Sequence, residues 1–152
     1  AYAFLQKLFH VIAETPQAMT AQINKYFPSA LAGSHVLVVA ARRDLRLLIR
    51  EAMRSMGLVI DFVSSVSEAV EFCRSAVPHA IIYEASMSGH RFKTLVDGIR
   101  AEVPEFVMVE VLEEGDTFDI STVSPSGVAR VGRDAVLTSL PSALVYELAR
   151  VM

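Results

Sequence analysis

The sequence predicts an α/β fold, a doubly wound parallel sheet, on three observations. Short β-branched runs alternate with helical runs from residue 35 to the end. The first of them, Val36 to Val39, is apolar without a break, as a strand buried on both faces requires. Glycine and proline stand where one run gives way to the next, at Gly57, Pro78 and Pro104.

The elements follow in chain order. Tyr2, Phe4, Leu5, Leu8, Phe9, Val11 and Ile12 recur at helical spacing, and Thr15-Pro16 ends that run and opens a second helix from Gln17 to Phe27. Residues 28–34 read as a linker. The chain is therefore expected to divide into a helical segment with linker, residues 1–33, and a main domain, residues 34–152. After the strand at Val36 to Val39, Asp44 to Met56 carries Leu45, Leu48, Ile49, Ala52, Met53 and Met56 on one helical face, closed by Gly57. Leu58 to Val63 is a second strand. Ser65-Val66-Ser67-Glu68 has the spacing of a capping box and opens a helix that Pro78 stops. Ala80 to Tyr83 is the third strand. A loop from Ala85 to Gly89 leads to a helix through Phe92, Leu95, Val96 and Ile99, and Phe106 to Leu112 is the fourth strand. Glu113 to Gly127 is polar and aperiodic, so a fourth helix is expected to be short or absent. Val128 to Val131 is a short fifth strand, and Pro141, at a first helical position, starts a closing helix to Met152. Five strand–helix units in series make a flavodoxin-like, five-stranded parallel sheet with an N-terminal helical extension. Ligands of such sheets sit beyond the carboxyl ends of the strands, here Ala40-Ala41-Arg42, Glu84 to Gly89, and Glu110.

Composition narrows the function. Of 152 residues, 53% are hydrophobic and 20% charged, which suits one folded domain. The net charge of −3 comes from 14 basic and 17 acidic residues mixed along the chain, so no footprint for direct nucleic-acid binding is present. The single Cys73 excludes an internal disulfide and a cysteine-pair metal site, fits a reducing cytoplasm, and reads as a small hydrophobe in a helix. No apolar run reaches the roughly 20 residues of a membrane helix. Ala1 to Ala13 has no basic leader and does not read as a signal peptide. The absence of an initiator Met suggests an excised piece of a longer chain.

The segment His35-Val-Leu-Val-Val-Ala-Ala-Arg-Arg-Asp44 and the segment His79-Ala-Ile-Ile-Tyr-Glu-Ala-Ser-Met-Ser-Gly89 together resemble the receiver (CheY-like) domain of bacterial response regulators. The likeness spans about Ser34 to Met152 and rests on element order, spacing and the Met87-x-Gly89 loop. It implies a two-component regulatory domain rather than an enzyme, with no resident cofactor. It also implies which positions have departed from the family. The two metal-binding acids at the end of the first strand become Ala40 and Ala41. The phospho-acceptor aspartate becomes Glu84, the hydroxyl residue after the fourth strand becomes Glu110, and the lysine after the fifth becomes Gly132, next to Arg133. Phosphoryl transfer to aspartate uses a Mg²⁺ held by oxygen ligands, and two methyl groups supply none. The chain is thus expected to be a degenerate pseudo-receiver that does not take up phosphate by that route.

Several readings stay open at this level. Glu84 either mimics a phosphorylated state or is merely tolerated at a strand end. Arg42 and Arg43 either pair with Glu84 or Glu110, or are simply solvated, or bind an anion such as a cyclic dinucleotide, with Arg130 and Arg133 emerging at the same end. His10, His35, His79 and His90 are scattered and read as structural or solvated, with no metal spacing. No catalytic triad, glycine-rich phosphate loop or nucleophile elbow is present. Phe4, Leu8, Ile12, Met19, Ile23 and Tyr26-Phe27 need burial, either on the chain's own domain, in a homodimer, or against a partner or neighbouring domain. The leading expectation is a regulatory module that docks on a protein partner or adjoining signalling domain. A sensor of an anionic small molecule is the second, and a small enzyme the last.

Overall fold

The computed structural model describes residues 32–151. The expected N-terminal helices lie outside the described residues. The strands are β1 (His35–Val39), β2 (Val59–Val63), β3 (Ala80–Glu84), β4 (Val107–Leu112), β5 (Phe118–Asp119) and β6 (Ala129–Gly132). The α-helices are α1 (Arg43–Ala52), α2 (Val66–Ser75), α3 (His90–Glu102) and α4 (Val136–Val151). The strands form one six-stranded sheet in the order β2-β1-β3-β4-β6-β5, parallel except for the β5–β6 pair.

The period of two along each strand sends successive side chains to opposite layers. Val36 and Val38 face a core with Leu45 and Ile49 of α1 and Leu140 and Leu144 of α4. Leu37 and Val39 face the other, with Ala69 of α2 and Phe92, Val96 and Ile99 of α3. Both layers bury their residues almost completely, which is why β1 reads as an unbroken apolar run. Each side chain as large as Ile49 or Leu144, fully buried, contributes about 1.5–3 kcal/mol of transfer free energy.

Local chemistry sets the helix ends. Ser65 caps α2, its hydroxyl accepting from the Glu68 N–H at 3.1 Å. The Glu68 carboxylate does not complete the box on Ser65; it accepts instead from the Ser64 hydroxyl at 2.5 Å. Helix α1 ends at Ala52, short of the expected Met56, and Gly57 takes a φ of +70° beyond the turn that follows.

Two expectations are corrected. Pro141 does not start the closing helix; α4 begins five residues earlier, at Val136, running on from a 3₁₀ turn over Arg133–Ala135. Burial of Val136, Leu140 and Leu144 outweighs the one backbone hydrogen bond the proline forgoes. The sheet has a sixth strand beyond the five expected, and it is antiparallel. No helix forms between β4 and β6. Residues 113–117 instead cross the carboxyl end of β6, β5 runs back down its outer edge, and residues 120–127 turn the chain into β6.

Candidate functional site

The carboxyl edge of the sheet gathers the loops after β1, β3 and β6. Glu84 is the last residue of β3 and is 4% exposed. Its Oε1 accepts from the main-chain N–H of Ala41 at 3.1 Å and of Arg42 at 3.4 Å, and its Oε2 accepts from the Ser86 hydroxyl at 2.9 Å. A buried carboxylate is tolerated only with such donors around it. Glu84 therefore ties the β1–α1 loop to β3.

Above it, the loop's own acceptors are occupied. The Arg46 guanidinium, one turn into α1, donates from Nη1 to the carbonyls of Ala40 at 2.8 Å and Ala41 at 2.9 Å. Asp44 receives Nη2 of Arg133 at 2.5 Å and lies 3.7 Å from Nε of Arg42. Asp44 is largely exposed, and pairs of this kind contribute about 0–1 kcal/mol each, so they position loops more than they stabilise the fold. Nη1 of Arg133 is shielded from solvent with no hydrogen-bond partner among the described residues.

Sequence reasoning placed Ala40, Ala41, Glu84 and Arg133 at this edge, and the structure brings them together. It missed Arg46, Asp44 and Ser86. No periodic signal marks Arg46, whose side chain turns back from α1 onto the loop before it. Arg43 is exposed and has no ion-pair partner among the described residues, in keeping with plain solvation. Two expectations need correction. The Arg42 side chain pairs with Asp44, and only its main-chain N–H reaches Glu84. Glu110 does not follow β4 but lies within it, in register with Tyr83 on one side and Arg130 on the other.

Tyr83, Glu110 and Arg130 thus form a polar row across β3, β4 and β6, one residue inside the level of Glu84. Nε of Arg130 sits 3.4 Å from Oε1 of Glu110, close enough for an ion pair but without hydrogen-bond geometry. Burial pushes the Tyr83 phenol well above its ordinary value, and the Glu110 carboxylate, which accepts its hydrogen bond, pushes it further. The row occupies the sheet face on which α2 and α3 lie, where no helix crosses between β4 and β6.

Gly132 has a steric reason. Its N–H donates to the Thr117 carbonyl at 2.7 Å, and the N–H of Asp134 donates to the Gly115 carbonyl at 2.8 Å. A Cβ on Gly132 would collide with the Gly115 carbonyl oxygen and come within 2.8 Å of the Thr117 nitrogen. The strap of residues 113–117 fills the space a longer side chain would need.

His35 and His79 lie at the opposite end of β1. His79 Nδ1 accepts from the His35 N–H at 2.8 Å, and His35 Nε2 meets Asp61 Oδ2 at 2.6 Å. Among the described residues no group of three or more His, Cys, Asp or Glu is placed to hold a metal ion.

The strand order and the two helical layers decide the architecture. The fold is that of a receiver domain. The response regulator receiver domain protein from Clostridium thermocellum superposes with a TM-score of 0.60 at 14% identity, covering 77% of this chain and 95% of that one. The N-terminal domain of a response regulator/sensory box/GGDEF 3-domain protein from Carboxydothermus hydrogenoformans gives 0.58 at 15%, covering 77% and 95%. The signal receiver domain of an HD domain-containing protein from Pseudomonas fluorescens Pf-5 gives 0.54 at 13%, covering 77% and 98%. The sequence matches no protein-family model and no curated protein. No helix among the described residues is long and apolar enough to cross a membrane.

Proposed function

We propose that this chain is a pseudo-receiver: a regulatory domain of a two-component or related cytoplasmic signalling protein, without enzymatic activity, that works by docking on a protein partner or adjoining domain. The observation that carries this reading is the state of the Glu84 carboxylate. Both of its oxygens are already engaged, in a pocket closed by the chain's own groups.

The Mg²⁺ that receiver chemistry uses does not fit the residues present. Such an ion needs several oxygen ligands. Ala40 and Ala41 offer methyls, and their carbonyls are bonded to the Arg46 guanidinium. A cation entering there would meet Arg46 with Arg42 and Arg133 close by, against the two carboxylates of Glu84 and Asp44. The lysine position is closed too, because Gly132 has no room for a side chain. Glu84 reads as a loop staple rather than as a mimic of phosphate: it is buried and points its charge at main-chain donors.

The test uses the full chain with acetyl phosphate and Mg²⁺, read by intact mass. No labelling is expected. Stoichiometric labelling that disappears in Glu84→Gln would overturn the proposal.

A further inference from the structure

We infer that the groove between α1 and the edge strand β2 is covered by the chain's own residues 17–27, folded as an amphipathic helix that lies beside α1. The inference goes beyond the docking reading: it takes this groove out of the surface offered to a partner.

Layer geometry calls for one more helix here. A six-stranded sheet spans roughly 24 Å at about 4.8 Å between strands. Among the described residues, the layer over this face holds two helices, α1 and α4, and helices pack at most about 10 Å apart. Helix α4 lies over β4 and β6, and α1 packs against α4 and over β1, which leaves β2 beyond the rim. Ile60 and Phe62 point into this layer but are only partly buried, and Leu47 on the outer side of α1 is 52% exposed. Between them runs a groove of about 930 Å³ floored by Met53, Leu58, Ile60 and Phe62.

Connectivity selects the occupant. The described chain enters at one end of this groove. Ala32 lies against Gly57, its Cβ 3.5 Å from where a Cβ on that glycine would stand, and the Gly33 N–H donates to the Gly57 carbonyl at 2.9 Å. Only residues 28–31 separate that point from the helix the sequence expects at residues 17–27, a link that spans at most about 14 Å. Such a helix is about 16 Å long at 1.5 Å per residue. The groove floor from Leu58 to Phe62 is about 13 Å at 3.3 Å per residue, so the lengths match. With its last turn held at the Gly57 end, the helix runs in the same direction as α1, as helices of one layer over a parallel sheet do. Met19, Ile23, Tyr26 and Phe27 fall at i, i+4, i+7 and i+8, a single apolar stripe for the floor to bury. Charge does not oppose this. The rim is mixed, with Arg50, Glu51 and Arg54, the last 3.5 Å from Glu51, and the only charged side chain in residues 17–27 is Lys25. So short a tether holds the helix at an effective concentration on the order of millimolar, which a free partner or a second copy would have to match.

The experiment uses the full chain, methyl-labelled at Ile, Leu and Val. Nuclear Overhauser peaks from the Ile23 methyls to those of Leu58 and Ile60 are expected, undiminished on dilution. In full-length Ile23→Asp the methyls of Leu47, Leu58 and Ile60 should shift, while those of Leu37 and Val109 in the two cores hold and verify the fold. Absence of the Ile23 peaks, or groove methyls unmoved in the variant, would overturn the inference. So would Ile23 peaks to Val77 and Val103, which line a separate hollow beside Ser34. Peaks between labelled and unlabelled chains mixed in equal parts would overturn it as well, by assigning the groove to residues 17–27 of a second copy. None of these outcomes bears on whether Glu84 accepts phosphate, so the two proposals fail separately.

Discussion

The two halves of the sheet solve the same connection problem differently. From β1 to β4, each parallel strand reaches the next through a helix, and the helix buries the sheet face it crosses. From β4 to β6 the chain crosses the end of its own last parallel strand and returns along the edge as β5. The regular half needs apolar periodicity and caps. The strap needs close backbone contact, and so depends on glycine: Gly115 takes a φ of +88° and Gly132 leaves room for it. The same departure leaves Glu110 and Arg130 on a face with no crossover helix, and lays a chain segment directly against Gly132.

The largest expected effect comes from putting a methyl where the strap lies. Gly132→Ala should lose about 3 kcal/mol in urea denaturation, because the displaced groups are backbone and give way poorly. Stability within about 0.5 kcal/mol of the parent would mean the strap is loose and the contrast between the halves is false.

Next comes the attachment of residues 120–127. The Ser121 hydroxyl donates to both carboxylate oxygens of Glu147, which lies 1% exposed in α4, and Arg150 approaches one of them at 3.4 Å. Ser121→Ala should cost about 2 kcal/mol, since it leaves a buried carboxylate short of a donor. Hydrogen exchange should then rise first in β5 and the following turn, with α2 and α3 unchanged. Uniform acceleration throughout the domain would dissolve the distinction.

In the regular half the corresponding perturbations are smaller. Ser65→Ala, which removes the α2 cap, should cost about 1 kcal/mol. Gly98→Ala, in the exposed middle of α3 with open space around it, should gain up to about 1 kcal/mol. A loss at Gly98 to match that at Gly132 would show glycine needed in both halves alike.

The Tyr83 phenol gives the fold a signed pH dependence in alkali. The phenol's folded value is raised, so the folded state holds its proton more tightly than the unfolded chain does. Its stabilising contribution is complete below the unfolded value of about 10 and is lost as pH rises beyond it. Thermal melts of the parent and Tyr83→Phe should diverge in pH slope only above about pH 10. Identical slopes there would mean that the polar row is open to solvent.

Legibility in the sequence follows the range of the forces involved. Strands β1, β3 and β4 and helices α2 and α3 were readable because burial imposes a period of two or near 3.6 over several residues. Ala40, Ala41 and Glu84 were placeable by counting from those strands. Arg46, Asp44 and Ser86 were not, because nothing periodic marks a side chain that turns back onto a loop. Glu147 reads as an ordinary charged residue near a helix end, and only its partner at position 121 explains its burial.

The sequence alone determined the alternation of strand and helix, the aliphatic cores, and the two methyls at the end of β1. These are local or periodic properties that side-chain chemistry dictates wherever the segment lies. Only the tertiary structure decided that the strap crosses β6, that Gly132 has no room for a side chain, and that Arg46 takes the carbonyls of Ala40 and Ala41. Each of these depends on the approach of segments distant in the chain or folded back on themselves. That approach is set by how the whole sheet closes, not by any one segment's preference.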